Sequence, residues 1–209
     1  MEAQKIIITG GATRIGAAIA KSLSGINKDI VIHYNKSKLK AENLKKELIK
    51  KGSKVYLVKG DLGKEKDVIN IIKFARSKLK YFDCLINNAS IFENDKLENF
   101  SSSSWEKHLS VNLKAPAILS KEFGKNIKGK NNNIINIIDQ RVFKLTPFFF
   151  SYTLSKTGLY TLTKTSAMSL APHVRVNGIA PGPTIKNKRQ SKGHFRRQYL
   201  STLLKKQVD

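Results

Sequence analysis

Short, almost wholly apolar runs recur along this chain at positions 5–9, 30–33, 55–58, 84–87, 134–138 and 174–179. A strand with one wet face alternates apolar and polar residues, so an unbroken apolar run predicts a strand covered on both faces. Longer stretches between the runs repeat their apolar residues at helical period, which predicts helices over 15–23, 39–50, 64–78, 105–123 and 151–170. The last of these is closed by Ala171-Pro172, because proline cannot continue a helix. Strands alternating with helices at this spacing predict an α/β fold with a doubly wound parallel sheet and right-handed crossovers. No repeat or linker-like stretch divides the chain, so residues 1–209 are expected to form a single domain.

Composition changes this picture little. Hydrophobic residues make up 40% of the 209 positions and charged ones 26%, which suits a chain with a sizeable core. No run of 18 apolar residues is present, and Met1 leads straight into the first strand without a leader layout. The single cysteine, Cys84, allows no internal disulfide and sits in an apolar run, where an inert buried thiol is expected. The four histidines, His33, His108, His173 and His194, show no ligand spacing, and no metal is expected. A reducing cytoplasm without membrane attachment follows as the expectation.

The net charge of +24 favours contact with phosphates. The excess is mostly lysine spread over the whole chain, and it is not interleaved with aromatics on one element. Asparagine and isoleucine are plentiful too, which reads as a coding bias toward Lys, Asn and Ile. Nucleic acid is therefore not expected as a partner.

Two motifs carry chemistry. The first strand runs into Thr9-Gly10-Gly11-Ala12-Thr13-Arg14-Ile15-Gly16 and then a helix. Glycines there allow a tight turn and let backbone approach a pyrophosphate at the helix N-terminus, although a generic strand-to-helix turn can also be glycine-rich. Further on, Tyr152 and Lys156 stand four apart on a predicted helix and share a face. An ammonium near a phenol favours the phenolate, so a lowered tyrosine pKa and proton transfer near neutral pH are expected.

With these motifs in order the chain resembles the short-chain dehydrogenase/reductase family along nearly all its length. The resemblance implies a Rossmann-like sheet of strand order 3-2-1-4-5-6. It sets Gly10, Arg14, Ile15 and Gly16 of the glycine turn against a nicotinamide cofactor, with Asp61-Leu62 after the third strand at the adenine. Asn88-Ala89-Ser90 at the end of the fourth strand and Pro181, Gly182 and Thr184 after the sixth complete the cofactor's contacts. Asn112, Tyr152 and Lys156 match catalytic positions; the tyrosine is the proton donor, and the lysine also holds the nicotinamide ribose. A homo-oligomer, dimer or tetramer, is also implied.

Two departures narrow the resemblance to the pteridine reductase and dihydromonapterin reductase branch. Arg14 stands where the family's middle glycine is usual, and Asp139 where a serine is normal, thirteen residues before the tyrosine. The segment His33-Tyr34-Asn35-Lys36-Ser37 and the run Asn88-Ala89-Ser90 followed by Phe92 are shared with the same branch. The substrate site implied is Arg14, Ser90, Phe92, Asp139 and Tyr152, with Phe92 stacked on a pterin ring; the plain alternative is a core phenylalanine.

Cofactor choice follows from charge. An enzyme selecting NAD carries an acid at the end of strand two for the ribose 2′-hydroxyl. Positions 30–40 hold no acid here, but they hold Asn35, Lys36 and Ser37, which with Arg14 suit a 2′-phosphate. NADPH is the expected cofactor, against the alternative of an ordinary solvated lysine. At position 139 a serine would donate to a developing oxyanion, whereas an ionised aspartate has nothing to donate and accepts from ring N–H groups. Asp139 thus points to C=N reduction of a pterin, unless it only caps the start of a loop. The alternatives are a carbonyl reductase acting on 3-oxoacyl groups and a truncated, catalytically silent NADPH-binding protein. The chain is short beside the family: 186–209 supplies a lid-like segment, the usual seventh strand is missing, and 174–179 is expected at an open sheet edge.

Overall fold

Ile6, Ile7 and Ile8 show why the apolar runs are unbroken: all three are fully buried, and they point into two different cores. They belong to β1 (Gln4–Ile8) at the centre of a sheet in a computed structural model that describes residues 3–129, 131–186 and 190–207. The other strands are β2 (Lys28–Tyr34), β3 (Lys54–Lys59), β4 (Cys84–Asn87), β5 (Asn132–Ile137) and β6 (Val174–Ile179). All pairings are parallel and the order is β3-β2-β1-β4-β5-β6, as expected.

Helices α1 (Arg14–Leu23) and α2 (Lys38–Lys50) cover one face. They bring Ala20, Leu44 and Leu48 against Ile6, Ile8, Ile30, Ile32 and Ile86. The opposite face carries α3 (Glu65–Leu79), which lays Val68, Ile71, Ile72, Ala75 and Leu79 on Ile7, Val31 and Leu85. No helix among the described residues is long and apolar enough to cross a membrane. Cys84 is buried in β4, and loss of solvation for the thiolate pushes its thiol up to about 12, the inert behaviour expected.

The helix expected over 105–123 is two helices. α4 (Ser102–Leu109) passes into a π-helical turn at Ser110–Lys114 and then α5 (Ala115–Gly124), with Ala115 N–H reaching back five residues to the Ser110 carbonyl. Pro116 supplies the reason: it has no N–H for the Asn112 carbonyl, so the ordinary ladder fails at that turn. After β5, a 3₁₀ turn at Gln140–Val142 leads toward α6 (Phe150–Leu170), which packs on β6 and α4. The lid-like segment contains α7 (Lys192–Leu200); its positions 187–189 and 208–209 lie outside the described residues. β6 pairs with β5 alone and forms one edge of the six strands, with Ile179 50% exposed.

Candidate active site

The chain order reverses at β1, which has β2 on one side and β4 on the other, and a cleft opens there beyond the C-terminal ends of the strands. Its volume is about 890 Å³. The glycine turn forms one wall. Gly10 has φ +59°, and a side chain there would press on the Ala89 backbone at 2.9 Å. A Cβ on Gly16 would run into the Gly10 carbonyl oxygen and lie 2.6 Å from Asn88 Nδ2, so only glycine fits. Arg14, where the family's middle glycine is usual, keeps the left-handed backbone at φ 52°, which costs a non-glycine residue on the order of 1–2 kcal/mol. It lines the cleft beside Ile15 and donates from Nη2 to the Ile185 carbonyl at 3.0 Å.

The turn is stapled from neighbouring strands. Asn88 Nδ2 donates to the Thr9 and Gly10 carbonyls at 2.9 and 3.2 Å, and Thr9 Oγ1 accepts from the N–H groups of Asn88 and Ala89. His33 adds a link that sequence reasoning missed. Its Nδ1 accepts from the Gly10 N–H at 3.1 Å, so Nε2 carries the proton and donates to the Gly60 carbonyl at 3.1 Å. One neutral ring thereby ties the ends of β2 and β3 to the glycine turn. Burial holds its pKa below the usual histidine value, partly opposed by the Gly60 carbonyl and by Asp61 and Asp67. A buried histidine at a strand end gives no sign of this in sequence.

Beyond His33 the cleft is lined by Asn35, Lys36 and Ser37, with Asp61 and Leu62 across from them at the end of β3. Asn35 and Lys36 are exposed, and Ser37, half-buried, stands at the N-terminal end of α2 with no side-chain capping bond to it. Pro181, Gly182 and Thr184 close the opposite side, where Thr184 Oγ1 donates to the Gly182 carbonyl.

Tyr152 and Lys156 rise into the cleft from the first turns of α6, 4% and 2% exposed. The Tyr152 hydroxyl donates to Asp139 Oδ2 at 2.7 Å, while Asp139 Oδ1 accepts the Arg141 N–H at 2.9 Å. One oxygen of Asp139 therefore caps the 3₁₀ turn, as the plainer reading expects, and the other holds the phenol. Lys156 Nζ donates to the Ile137 carbonyl at 2.8 Å, and its complete burial lowers its pKa to about 8. The expected lowering of the tyrosine pKa is overturned. Burial, followed by the Asp139 carboxylate, drives the Tyr152 pKa well above its ordinary value, with Arg141 and Ser90 acting weakly the other way. The phenol is held as a proton donor.

Asn112 is fully buried in the π-helical turn, and none of its side-chain bonds goes to Tyr152 or Lys156. Its Oδ1 accepts from the Ile91 N–H and the Ser90 hydroxyl, and its Nδ2 donates to the Ile91 carbonyl and to Ser155 Oγ. It thus locks the 90–91 loop to α6.

Phe92 lines the cleft with its edge near Tyr152, ring centroids 4.6 Å apart. Phe149 stacks on it at 4.3 Å with the rings nearly parallel. Phe149 has φ 61° and offers no side-chain cap to α6, so the cap comes from the loop after β4. Asn94 Oδ1, the Asp95 carbonyl and Asp95 Oδ1 accept the N–H groups of Phe149, Phe150 and Ser151 in turn. His108 Nε2 accepts from the Glu93 N–H and secures the same loop. Asn94, Asp95, His108 and Phe149 went unnoticed in sequence because each acts on a residue far along the chain. No cluster of metal-ligating side chains occurs among the described residues.

Comparison with known proteins agrees with this geometry. A family model described as short chain dehydrogenase matches residues 4–196. The FolM alternative dihydrofolate reductase 1 of Brucella canis, solved with NADP, is 40% identical and superposes with a TM-score of 0.91, over 97% of this chain and 80% of that one. A 3-oxoacyl-[acyl-carrier-protein] reductase of a Synechocystis strain is 30% identical over 87% of this chain and 74% of its own length. An uncharacterized oxidoreductase of Thermotoga maritima is 33% identical over 87% of this chain and 72% of its own. A match running from β1 into α7 takes in both ends of the cleft, and on it this chain belongs to the short-chain dehydrogenase family.

Proposed function

We propose that this chain is an NADPH-dependent reductase acting on a C=N bond of a pterin, of the dihydropterin or dihydrofolate class. The observation that carries this reading is the bond from the Tyr152 hydroxyl to Asp139, which puts a carboxylate beside the proton donor. The residues present fit the cofactor: two positions on the glycine turn admit no side chain, and the end of β2 offers Lys36 and Ser37 with no acid from 30 to 40. When bound, NADPH supplies the hydride. Lys36, Ser37 and Arg14 would hold its 2′-phosphate, and Lys156 would hold the nicotinamide ribose.

Tyr152 keeps its proton at neutral pH and gives it to the ring nitrogen, so that carbon gains hydride and nitrogen gains a proton. Asp139 accepts from the ring's N–H and amino groups, and Phe92 offers its face to the pterin. Asn112 acts through Ile91 and Ser155, positioning the 90–92 loop. The identity to the FolM protein of Brucella canis supports the pterin class. The identity to 3-oxoacyl reductases favours a second reading, carbonyl reduction. The deciding experiment is NADPH oxidation with 7,8-dihydropterins set against acetoacetyl thioesters. Turnover of the dihydropterin is expected; turnover of the thioester alone would overturn the proposal.

A further inference from the structure

Arg141 is a cation of the cleft that the chemistry above does not use. It lies half-buried in the cleft wall, with its guanidinium over the Phe149 ring at 4.4 Å and 5.9 Å from the Phe92 ring. Among the described residues its one side-chain hydrogen bond is from Nη1 to Thr146 Oγ1 at 2.9 Å, and it forms no ion pair. Asp139, two residues back, bonds the Tyr152 hydroxyl and the Arg141 backbone N–H, not the guanidinium. Three other cations of the cleft are committed: Lys107 pairs with Glu93 at 3.2 Å, Lys156 is bonded to the Ile137 carbonyl and Arg14 to the Ile185 carbonyl, while Lys36 and Lys64 line the far, cofactor end.

A guanidinium has five N–H donors, and here four are left without a protein acceptor. Removing such a charge from water is costly unless an anion completes it, and the fork suits a carboxylate or phosphate. Aromatic faces hold the weakly hydrated group in place but accept little from its N–H edge. The site also has direction. Arg141 shares the ring cluster of Phe92 and Tyr152, so it faces the substrate end of the cleft rather than the end walled by Lys36 and Asp61.

We infer that Arg141 is a specificity-determining residue that binds an anionic group, carboxylate or phosphate, carried on the side chain of the substrate's ring. The inference rests on the pterin reading and deepens it: the preferred substrate is a dihydropterin with an acidic tail rather than a neutral one.

The test compares 7,8-dihydrofolate, a dihydroneopterin phosphate and the neutral 7,8-dihydrobiopterin with the wild-type chain, Arg141→Met and Arg141→Lys. Both kcat/KM with NADPH and Kd with NADP+ present are read. An acidic-tail preference of about tenfold or more is expected in the wild type, as for one charge-assisted contact. In Arg141→Met the ratio of acidic to neutral substrate should collapse toward one, with partial return in Arg141→Lys. Any general effect of the substitution on folding or on the ring's own reduction divides out of that ratio. Which tail loses more identifies the anion. A ratio unchanged by Arg141→Met, while dihydropterins are still reduced, overturns the inference and leaves the pterin reading standing. Failure of every pterin to bind or react overturns both.

Discussion

The Tyr152 hydroxyl and Asp139 Oδ2 lie 2.7 Å apart, joined by a hydrogen bond that spans the end of β5 and the first turn of α6. The carboxylate raises the phenol's pKa through its charge and through this bond, in addition to the larger effect of burial. Asp139→Ser removes the charge and adds a hydroxyl donor. The Tyr152 pKa should fall, read as an earlier tyrosinate absorbance step on alkaline titration and assigned by its loss in Tyr152→Phe. The kcat/KM ratio of a dihydropterin to a small ketone should fall at least tenfold, since one donor to a developing oxyanion is worth about 2.7–4 kcal/mol in acyl-transfer sites. An unchanged ratio would reduce Asp139 to its capping role.

Lys156 is charged at neutral pH in a site that disfavours the charge. Its pKa of about 8 in the fold lies below the ordinary 10.5. Between those values the unfolded chain holds a proton that the folded one has released, so this group makes stability rise as pH climbs from about 8 to 10.5 and withdraws that gain as pH falls back through 8. In cofactor-free protein at pH 7, Lys156→Met should raise the melting temperature by several degrees, at about 2–4 °C per kcal/mol for a chain this size. The gain should vanish above pH 10.5, and activity should be lost at every pH. A melting temperature that drops would mean that the bond to the Ile137 carbonyl outweighs the buried charge.

Lys36 is exposed and lines the cleft just beyond the end of β2, the position proposed above for the 2′-phosphate. NADPH should bind more tightly than NADH. Lys36→Asp should weaken NADPH about tenfold or more and leave NADH nearly as before, measured by calorimetric titration of both cofactors. Equal affinities in the unmutated chain would refute the phosphate role.

Asp95 is 7% exposed and its Oδ1 takes the Ser151 N–H at 3.0 Å, in the first turn of α6 that carries Tyr152. Asp95→Ala leaves that buried N–H without a partner, so a loss of about 1–2 kcal/mol is expected in denaturant unfolding. Because Tyr152 follows Ser151 directly, kcat should fall more than KM rises. Asp95→Asn keeps an acceptor and should recover most of both.

Periodicity and local sterics were legible without a structure. The triple isoleucine of β1 required a sheet buried on both faces, and the alternation of runs required parallel order with crossover helices. The glycine turn, the Tyr-Lys spacing and the acid-free end of β2 are likewise local patterns, and they converge on the cleft walls as expected. Arg14 was legible as a departure; its left-handed backbone was not, because sequence names the side chain and not the φ it must adopt. The break at Ser110–Lys114 had its signal in Pro116, passed over because apolar periodicity continues through it.

What only the tertiary structure decided is the electrostatics of the site and the supports that hold it. A pKa depends on how much water is excluded and on charges brought near by other elements, so a Tyr-Lys spacing could not reveal that burial and Asp139 hold the phenol protonated. His33 on the glycine turn, Asp95 on the first turn of α6, and Phe149 with Arg141 behind Phe92 are contacts between residues distant in the chain or on different elements. Residue types and spacing therefore settled the family and named side chains that the fold gathers around one cleft. Packing decided which groups keep their protons, because that follows from desolvation, which exists only once the elements are assembled.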